Sequence, residues 1–257
     1  MKKLYYPIII EQNQIARGTF SMKLQCNEIA ETALPGQFVN LYCREGEMLL
    51  PRPISICETD REKGILTLVY AVVGKGTESF SRLKKGDTIK VLGPLGDGFK
   101  IDESIKTHIL IGGGIGVPPL VELAKHLKGE IYAFLGFAES PILVEELESY
   151  GAKVFVATDD GSAGFKGNVI ELFKNKNITG GMIYGCGPKP MLKAVGKWAE
   201  DMGIKAQISM EERMACGIGV CVGCVCKIKK KEEEDWQNRK VCTDGPVFWS
   251  EEVIWDE

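Results

Sequence analysis

Nine cysteines are spread unevenly along the 257 residues: Cys26, Cys43, Cys57 and Cys186 are scattered, whereas Cys216, Cys221, Cys224, Cys226 and Cys242 crowd the C-terminal end. Cys216, Cys221, Cys224 and Cys242 follow the pattern C-x4-C-x2-C…C, the spacing of plant-type 2Fe–2S sites. Four thiolates must reach two irons bridged by sulfides, so three come from one loop that wraps the cluster and the fourth from a separate strand. Gly217, Gly219 and Gly223 let that loop pass close to the cluster without side-chain clash. A structural zinc site is the alternative, but zinc ribbons pair two Cys-x2-Cys knuckles, and Cys242 has no partner cysteine nearby. Cys226 is expected to be a buried neighbour rather than a ligand.

A second group of residues suits phosphates. The run from His108 to Pro119 reads as a strand, a glycine loop containing Gly112, Gly114 and Gly116, and a helix with proline in its first turn. Such a loop lets a dinucleotide pyrophosphate approach a helix N-terminus. It departs from the full Rossmann fingerprint, reading G-x-G-x-x-P from Gly114, and glycines there also permit close strand–helix packing. A second turn, Gly185-Cys186-Gly187-Pro188, again joins a strand to a helix, and two such turns on one sheet edge favour binding. In the first half of the chain, Arg52 and Ser55 stand three residues apart on one extended run. The guanidinium can clamp a pyrophosphate and the hydroxyl can bond a flavin ring edge. Val73 to Thr77 can present backbone amides to a phosphate at the start of a short helix expected over 78–83.

The elements that must position these groups change character along the chain. Up to about Ile101 the sequence is β-like, with apolar or alternating runs over 36–43, 64–73 and 88–92 bounded by turn residues. Six or so short strands with little helix predict a barrel or sandwich. From His108, apolar runs begin near His108, Ile131, Lys153, Met182 and Ala206 with helical patterns between them. Leu120, Leu123, Ala124 and Leu127 share one helix face. This alternation predicts βαβ units and a parallel sheet. The expected division is 1–102 for an antiparallel barrel, 103–210 for an α/β domain and 211–257 for a small metal-centred domain whose apolar content is too low for a core of its own. The mixed-charge run Lys227 to Asp235 reads as a solvated hairpin.

Composition narrows the function. With 32 basic and 35 acidic residues and a net charge of −3, there is no basic surface of the kind that nucleic acid needs. The opening MKKLYYPIII contains Pro7, is short, and leads into Glu11-Gln12-Asn13-Gln14; it reads as a first β-strand rather than an export signal. No apolar run approaches a bilayer's ~20 residues. The expectation is a cytoplasmic protein without a membrane partner. His108 and His126, the two histidines, fall on a core strand and a helix and are read as structural, so no substrate acid–base machinery is identified.

Together these residues resemble the ferredoxin reductase-like flavoproteins across nearly the whole chain. Arg52-Pro53-Ile54-Ser55 with Glu212-Arg213-Met214-Ala215-Cys216-Gly217-Ile218-Gly219 is most similar to the electron-transfer subunits of class 1B dihydroorotate dehydrogenases. The resemblance implies FAD in the barrel, NAD as co-substrate in the α/β domain and a 2Fe–2S cluster at the C-terminus. It also implies FAD contacts from Arg52, Pro53, Ile54, Ser55, Val69, Tyr70, Ala71, Gly76 and Thr77. Ile54 stands where the wider superfamily often has tyrosine, and Ala71 where a basic residue is expected. The implied reaction oxidises dihydroorotate on an FMN-bearing catalytic partner, in a heterotetramer of two plus two, with electrons passing through the cluster and FAD to NAD in pyrimidine biosynthesis. The small subunits of NADH-dependent ferredoxin:NADP or sulfide dehydrogenases are the alternative. Residues 131–140 contain no Arg or Lys, which predicts NAD rather than NADP.

Overall fold

The structure, a computed structural model, describes residues 3–43, 48–176, 178, 180–230 and 235–255. Its first part holds β1 (Lys3–Tyr5), β2 (Ile8–Ala16), β3 (Thr19–Gln25), α1 (Asn27–Thr32), β4 (Phe38–Tyr42), β5 (Arg52–Asp60), β6 (Ile65–Ala71), α2 (Lys75–Ser81) and β7 (Lys90–Leu95). The strands form an antiparallel sheet in the order β1-β7-β4-β5-β6-β3-β2. Ile9 closes it into a barrel, bonding both Asp87 and Gly86 of the segment before β7 at 2.8 Å. Alternate side chains fill the interior: Met22, Leu24, Val39, Leu41, Leu66, Leu68 and Val91 are fully buried. The single first strand expected at the N-terminus is two. Pro7, which cannot donate to a ladder, separates β1, paired with β7, from β2, paired with β3. Helix α2 also begins three residues before its expected start, because Thr77 Oγ1 accepts the Val73 and Gly74 amides and caps the turn.

The second part contains β8 (Thr107–Gly113), α3 (Pro118–His126), β9 (Glu130–Phe137), α4 (Val144–Ser149), β10 (Ala152–Thr158), β11 (Phe165–Lys166), α5 (Val169–Asn175), β12 (Met182–Cys186), α6 (Lys189–Met202) and β13 (Lys205–Ser209). These strands run parallel in the order β11-β10-β9-β8-β12-β13. Ile109 and Ile111 face α5 and α6, while Leu110 faces α3 and α4. The sheet is thus buried on both faces, as its unbroken apolar runs require. The C-terminal segment adds the hairpin β14 (Val225–Lys229) and β15 (Trp236–Lys240), then β16 (Val247–Trp249), which joins this sheet antiparallel to β13. Cys224, Ile228, Val241, Cys242, Phe248 and Val253 share the apolar cluster of Ile109, Phe134 and Ile183. Residues 231–234 of the expected hairpin run lie outside the described residues. Among the described residues, no helix is long and apolar enough to cross a membrane.

The barrel and the α/β sheet meet at a buried charge. Glu122 of α3 is fully buried, and its two carboxylate oxygens accept the Thr59 amide at 2.7 Å and the Thr59 hydroxyl at 2.9 Å. Lys125 bonds the Thr59 carbonyl, and Tyr150 bonds Glu58 beside it. Strand β5 therefore carries Arg52–Ser55 at one end and grips the second domain at the other. Removing the carboxylate leaves two buried donors unpaired at about 1–3 kcal/mol each. Glu122→Ala should lower the thermal midpoint by roughly 5–10 °C, whereas Lys197→Ala, which removes an exposed ion pair, should change it by less than about 2 °C. A thermal melt followed by circular dichroism checks both.

Candidate functional site

The cysteine loop leaves β13 at Ser209 and passes Glu212, whose carboxylate pairs with Lys189 at the start of α6. Cys216 and Cys221 then turn toward each other with sulfurs 3.2 Å apart. Burial alone would raise the Cys216 pKa, but amides of Cys221, Ile218 and Val220 aimed at its sulfur outweigh this and draw it down to about 6. Gly217 and Gly219, at φ +67° and +87°, make the turn that gathers these amides. The third and fourth cysteines meet through the hairpin register. Val225 lies opposite Lys240, the Val241 amide bonds the Cys224 carbonyl at 2.8 Å, and the Cys242 thiol contacts that of Cys224. The Cys242 thiol is pushed up to about 11, first by burial and then by Cys224. The fourth cysteine thus arrives just after a strand rather than on it.

Two close thiol pairs suit two irons, each taking two sulfurs, with backbone amides to stabilise the anionic centre. Among the described residues, no group of three or more ligating side chains is placed to hold a metal ion. Cys226 is buried on β14 opposite Arg239, its thiol pushed up to about 11 by burial and then by Glu212.

In the barrel, pairing between β5 and β6 ends at Ile56–Leu68. Beyond that point Arg52–Ser55 pair only with β4, and Val69–Ala71 only with β3. The two strands part, and helix α2 follows β6 at the mouth of the gap. Arg52 lies across the first turn of α2: a Cβ on Gly76 would sit 2.4 Å from its Nε. A guanidinium over a glycine-exposed amide turn is a cradle for a pyrophosphate. Tyr70 has a fully committed side chain. It is stacked on Phe20, edge-on to Phe80 and bonded to Gln12, and burial raises its pKa far above the usual phenol value. Only its backbone is left for a ligand, and the same holds for Thr77, whose hydroxyl caps α2.

The two glycine turns of the α/β sheet abut. A Cβ on Gly116 would lie 2.4 Å from the Cys186 carbonyl, and one on Gly187 2.9 Å from the Gly113 amide. A Cβ on Gly112 would meet Val117 at 2.8 Å, and one on Gly185 would meet Leu192 at 3.2 Å. These four glycines allow close packing of strand, turn and helix, while Gly114, at φ +53°, faces open space and is available to a ligand. Glu139, Asp159 and Asp160 stand past the ends of β9 and β10, an acidic rim that disfavours a 2′-phosphate. Both histidines face backbone carbonyls: His108 Nε2 lies 3.1 Å from that of Lys128, and His126 Nδ1 lies 2.8 Å from that of Glu122.

Two family models match the chain. The oxidoreductase FAD-binding domain covers residues 8–99, and the iron–sulfur cluster binding domain of dihydroorotate dehydrogenase B covers residues 211–254. A solved structure of an NADH-dependent reduced ferredoxin-NADP oxidoreductase superposes with a TM-score of 0.88 at 30% identity, covering 98% of this chain and 90% of that one. The protein is thus an oxidoreductase subunit of ferredoxin reductase-like fold that binds FAD and an iron–sulfur cluster. It is 40% identical to "dihydroorotate dehydrogenase B (NAD(+)), electron transfer subunit" of Caldanaerobacter subterraneus subsp. tengcongensis, over 96% of both chains. It is 43% identical to the subunit of that name from Fusobacterium nucleatum subsp. nucleatum, over 95% of this chain and 96% of the relative. The chain belongs to the family of dihydroorotate dehydrogenase B electron transfer subunits.

Sequence reasoning missed Asn40, Thr59 and Glu122, which join the parts of the molecule. Their signal was weak: Asn40 and Glu122 are single polar residues inside apolar runs, and Thr59 sits among charged residues at a strand end. Each of Cys216→Ser, Cys221→Ser, Cys224→Ser and Cys242→Ser should abolish or strongly perturb the electron paramagnetic resonance of the reduced cluster, and Cys226→Ser should leave it nearly intact. With an artificial acceptor, kcat/KM for NADH should exceed that for NADPH by roughly tenfold or more. Equal values would sink that specificity.

Proposed function

We propose that this chain passes electrons between NAD and an FMN-bearing catalytic subunit that oxidises dihydroorotate, in a heterotetramer of two plus two in the cytoplasm. Electrons leave the partner through the 2Fe–2S cluster and reach NAD through FAD, in the pyrimidine pathway. The observation that carries the reading is the pair of thiol pairs, Cys216 with Cys221 and Cys224 with Cys242, docked against the barrel that holds the Arg52–Ser55 strand. When bound, FAD exchanges a hydride with nicotinamide and single electrons with the cluster.

The protein's own residues position these groups. We assign the four cysteines as cluster ligands. Arg52 and the Gly76–Thr77 turn hold the flavin pyrophosphate, Pro53, Ile54 and Ser55 line the ring, and Val69, Tyr70 and Ala71 contribute backbone. Gly114 admits the NAD pyrophosphate, with Gly112, Gly116, Gly185 and Gly187 shaping its loop. The three functional parts are 1–102, 103–210 and 211–257. No general acid or base is assigned, since His108 and His126 are both bonded to carbonyls.

The likeness to the ferredoxin-NADP oxidoreductase supports a second reading, in which the partner accepts electrons from ferredoxin. Purified alone, the chain should reduce dyes with NADH and should not oxidise dihydroorotate. Adding the FMN-bearing subunit should create NAD-linked dihydroorotate oxidation, lost when the cluster is removed while NADH–dye activity survives. Dihydroorotate-dependent NAD reduction by this chain alone would refute the division. A reconstituted pair active with ferredoxin but not dihydroorotate would favour the second reading.

A further inference from the structure

We propose that Asn40 is the positioning residue that sets the spacing between the flavin strand and the cluster loop; this rests on the cofactor placement given above. Asn40 lies on β4 directly opposite Pro53, and Phe38 lies opposite Ser55. Residues opposed on an antiparallel ladder share a face, so Asn40 projects from the same side as the Pro53 and Ser55 side chains. That side points away from the barrel interior, which takes Val39 and Leu41. Phe38 instead packs in the cluster that contains Cys224 and Cys242. The C-terminal segment therefore covers this face.

Across that seam the Asn40 Nδ2 donates to the Cys216 carbonyl at 3.1 Å. The contact requires the glycine that follows Cys216, because a Cβ on Gly217 would lie 2.2 Å from Nδ2. Asn40 is fully buried, and among the described residues its Oδ1 is the buried side-chain polar atom with no hydrogen-bond partner. An unpaired buried carbonyl costs free energy that an apolar side chain of the same size would avoid. Packing therefore does not account for an amide here, whereas its donor to Cys216 does. The Cys216 sulfur is held by the loop's own amides, so fixing the Cys216 carbonyl fixes the whole loop. The result is a continuous route from Pro53 through the neighbouring strand and its carboxamide to a cluster ligand. Electron transfer falls steeply with separation, so a loop that drifts from β4 slows transfer between flavin and cluster without touching the nicotinamide step.

The test uses Asn40→Leu and Asn40→Ser; the shorter serine cannot reach Cys216 and keeps the proposal testable if the leucine variant fails to fold. In the cluster-free chain, hydrogen exchange of amides 216–222 should quicken about fivefold to tenfold in either variant, reflecting one lost hydrogen bond. In the loaded protein mixed anaerobically with NADH, flavin bleaching should stay within about twofold of wild type, while the following one-electron reduction of the cluster should slow about tenfold or more. The reduced-cluster resonance should also shift. Unchanged loop exchange with wild-type cluster reduction would overturn the proposal, and so would equal slowing of both steps, which marks a general structural role. A wild-type protein lacking flavin and cluster absorption would instead overturn the cofactor placement, and the exchange experiment would still decide on Asn40.

Discussion

Pairing of Val247–Trp249 with Lys205–Ser209 imposes a constraint on everything around it, because it brings the C-terminal segment back to the edge of the α/β sheet. With that return made, the Asp97 amide bonds the Gly245 carbonyl and the Met210 amide bonds that of Pro246, so one turn touches both the barrel and the sheet. The hairpin is then held with its base inward, and Cys224 and Cys242 are buried in the core. A free-standing metal module would need its metal to hold a shape. Here much of the shape comes from an apolar core shared with the neighbouring domain.

The polar groups at the seams follow one rule: each is paired except where position matters more than pairing. Glu122 and Thr59 satisfy each other across the barrel–sheet boundary, as buried charge requires. Lys189 and Glu212 tie the start of α6 to the approach of the cysteine loop. Asn40 departs from the rule with one amide atom paired and the other not. All three contacts join residues far apart in the chain, across the boundaries between the barrel, the α/β sheet and the C-terminal segment.

The glycine turns show how packing and binding share residues. Gly116 and Gly187 bring two strand–helix turns into contact so close that no side chain fits, and the same closeness leaves Gly114 at the surface of the junction. The open backbone at Gly114 is thus a by-product of dense packing at the sheet's edge. Arg52 and Gly76 form a similar pair in the barrel, where a bare backbone lets the guanidinium lie over a helix turn.

The sequence by itself determined the element types, because periodicity is local. Strands before residue 101 and alternating strands and helices after 107 follow from side-chain patterning. It also determined the chemistry of the C-terminus, since the C-x4-C-x2-C spacing limits which ligands one loop can deliver. Tertiary structure alone decided which residues join the parts. Asn40 and Cys216 are 176 residues apart, and Thr59 and Glu122 are 63 apart; no local pattern encodes such pairs. The hairpin register, not the spacing, places Cys242 beside Cys224. The structure also placed the Tyr70 side chain in the barrel core, because its direction depends on which barrel face the strand presents. Contacts of this kind arise only after chain closure, when residues remote in sequence compete for the same buried space.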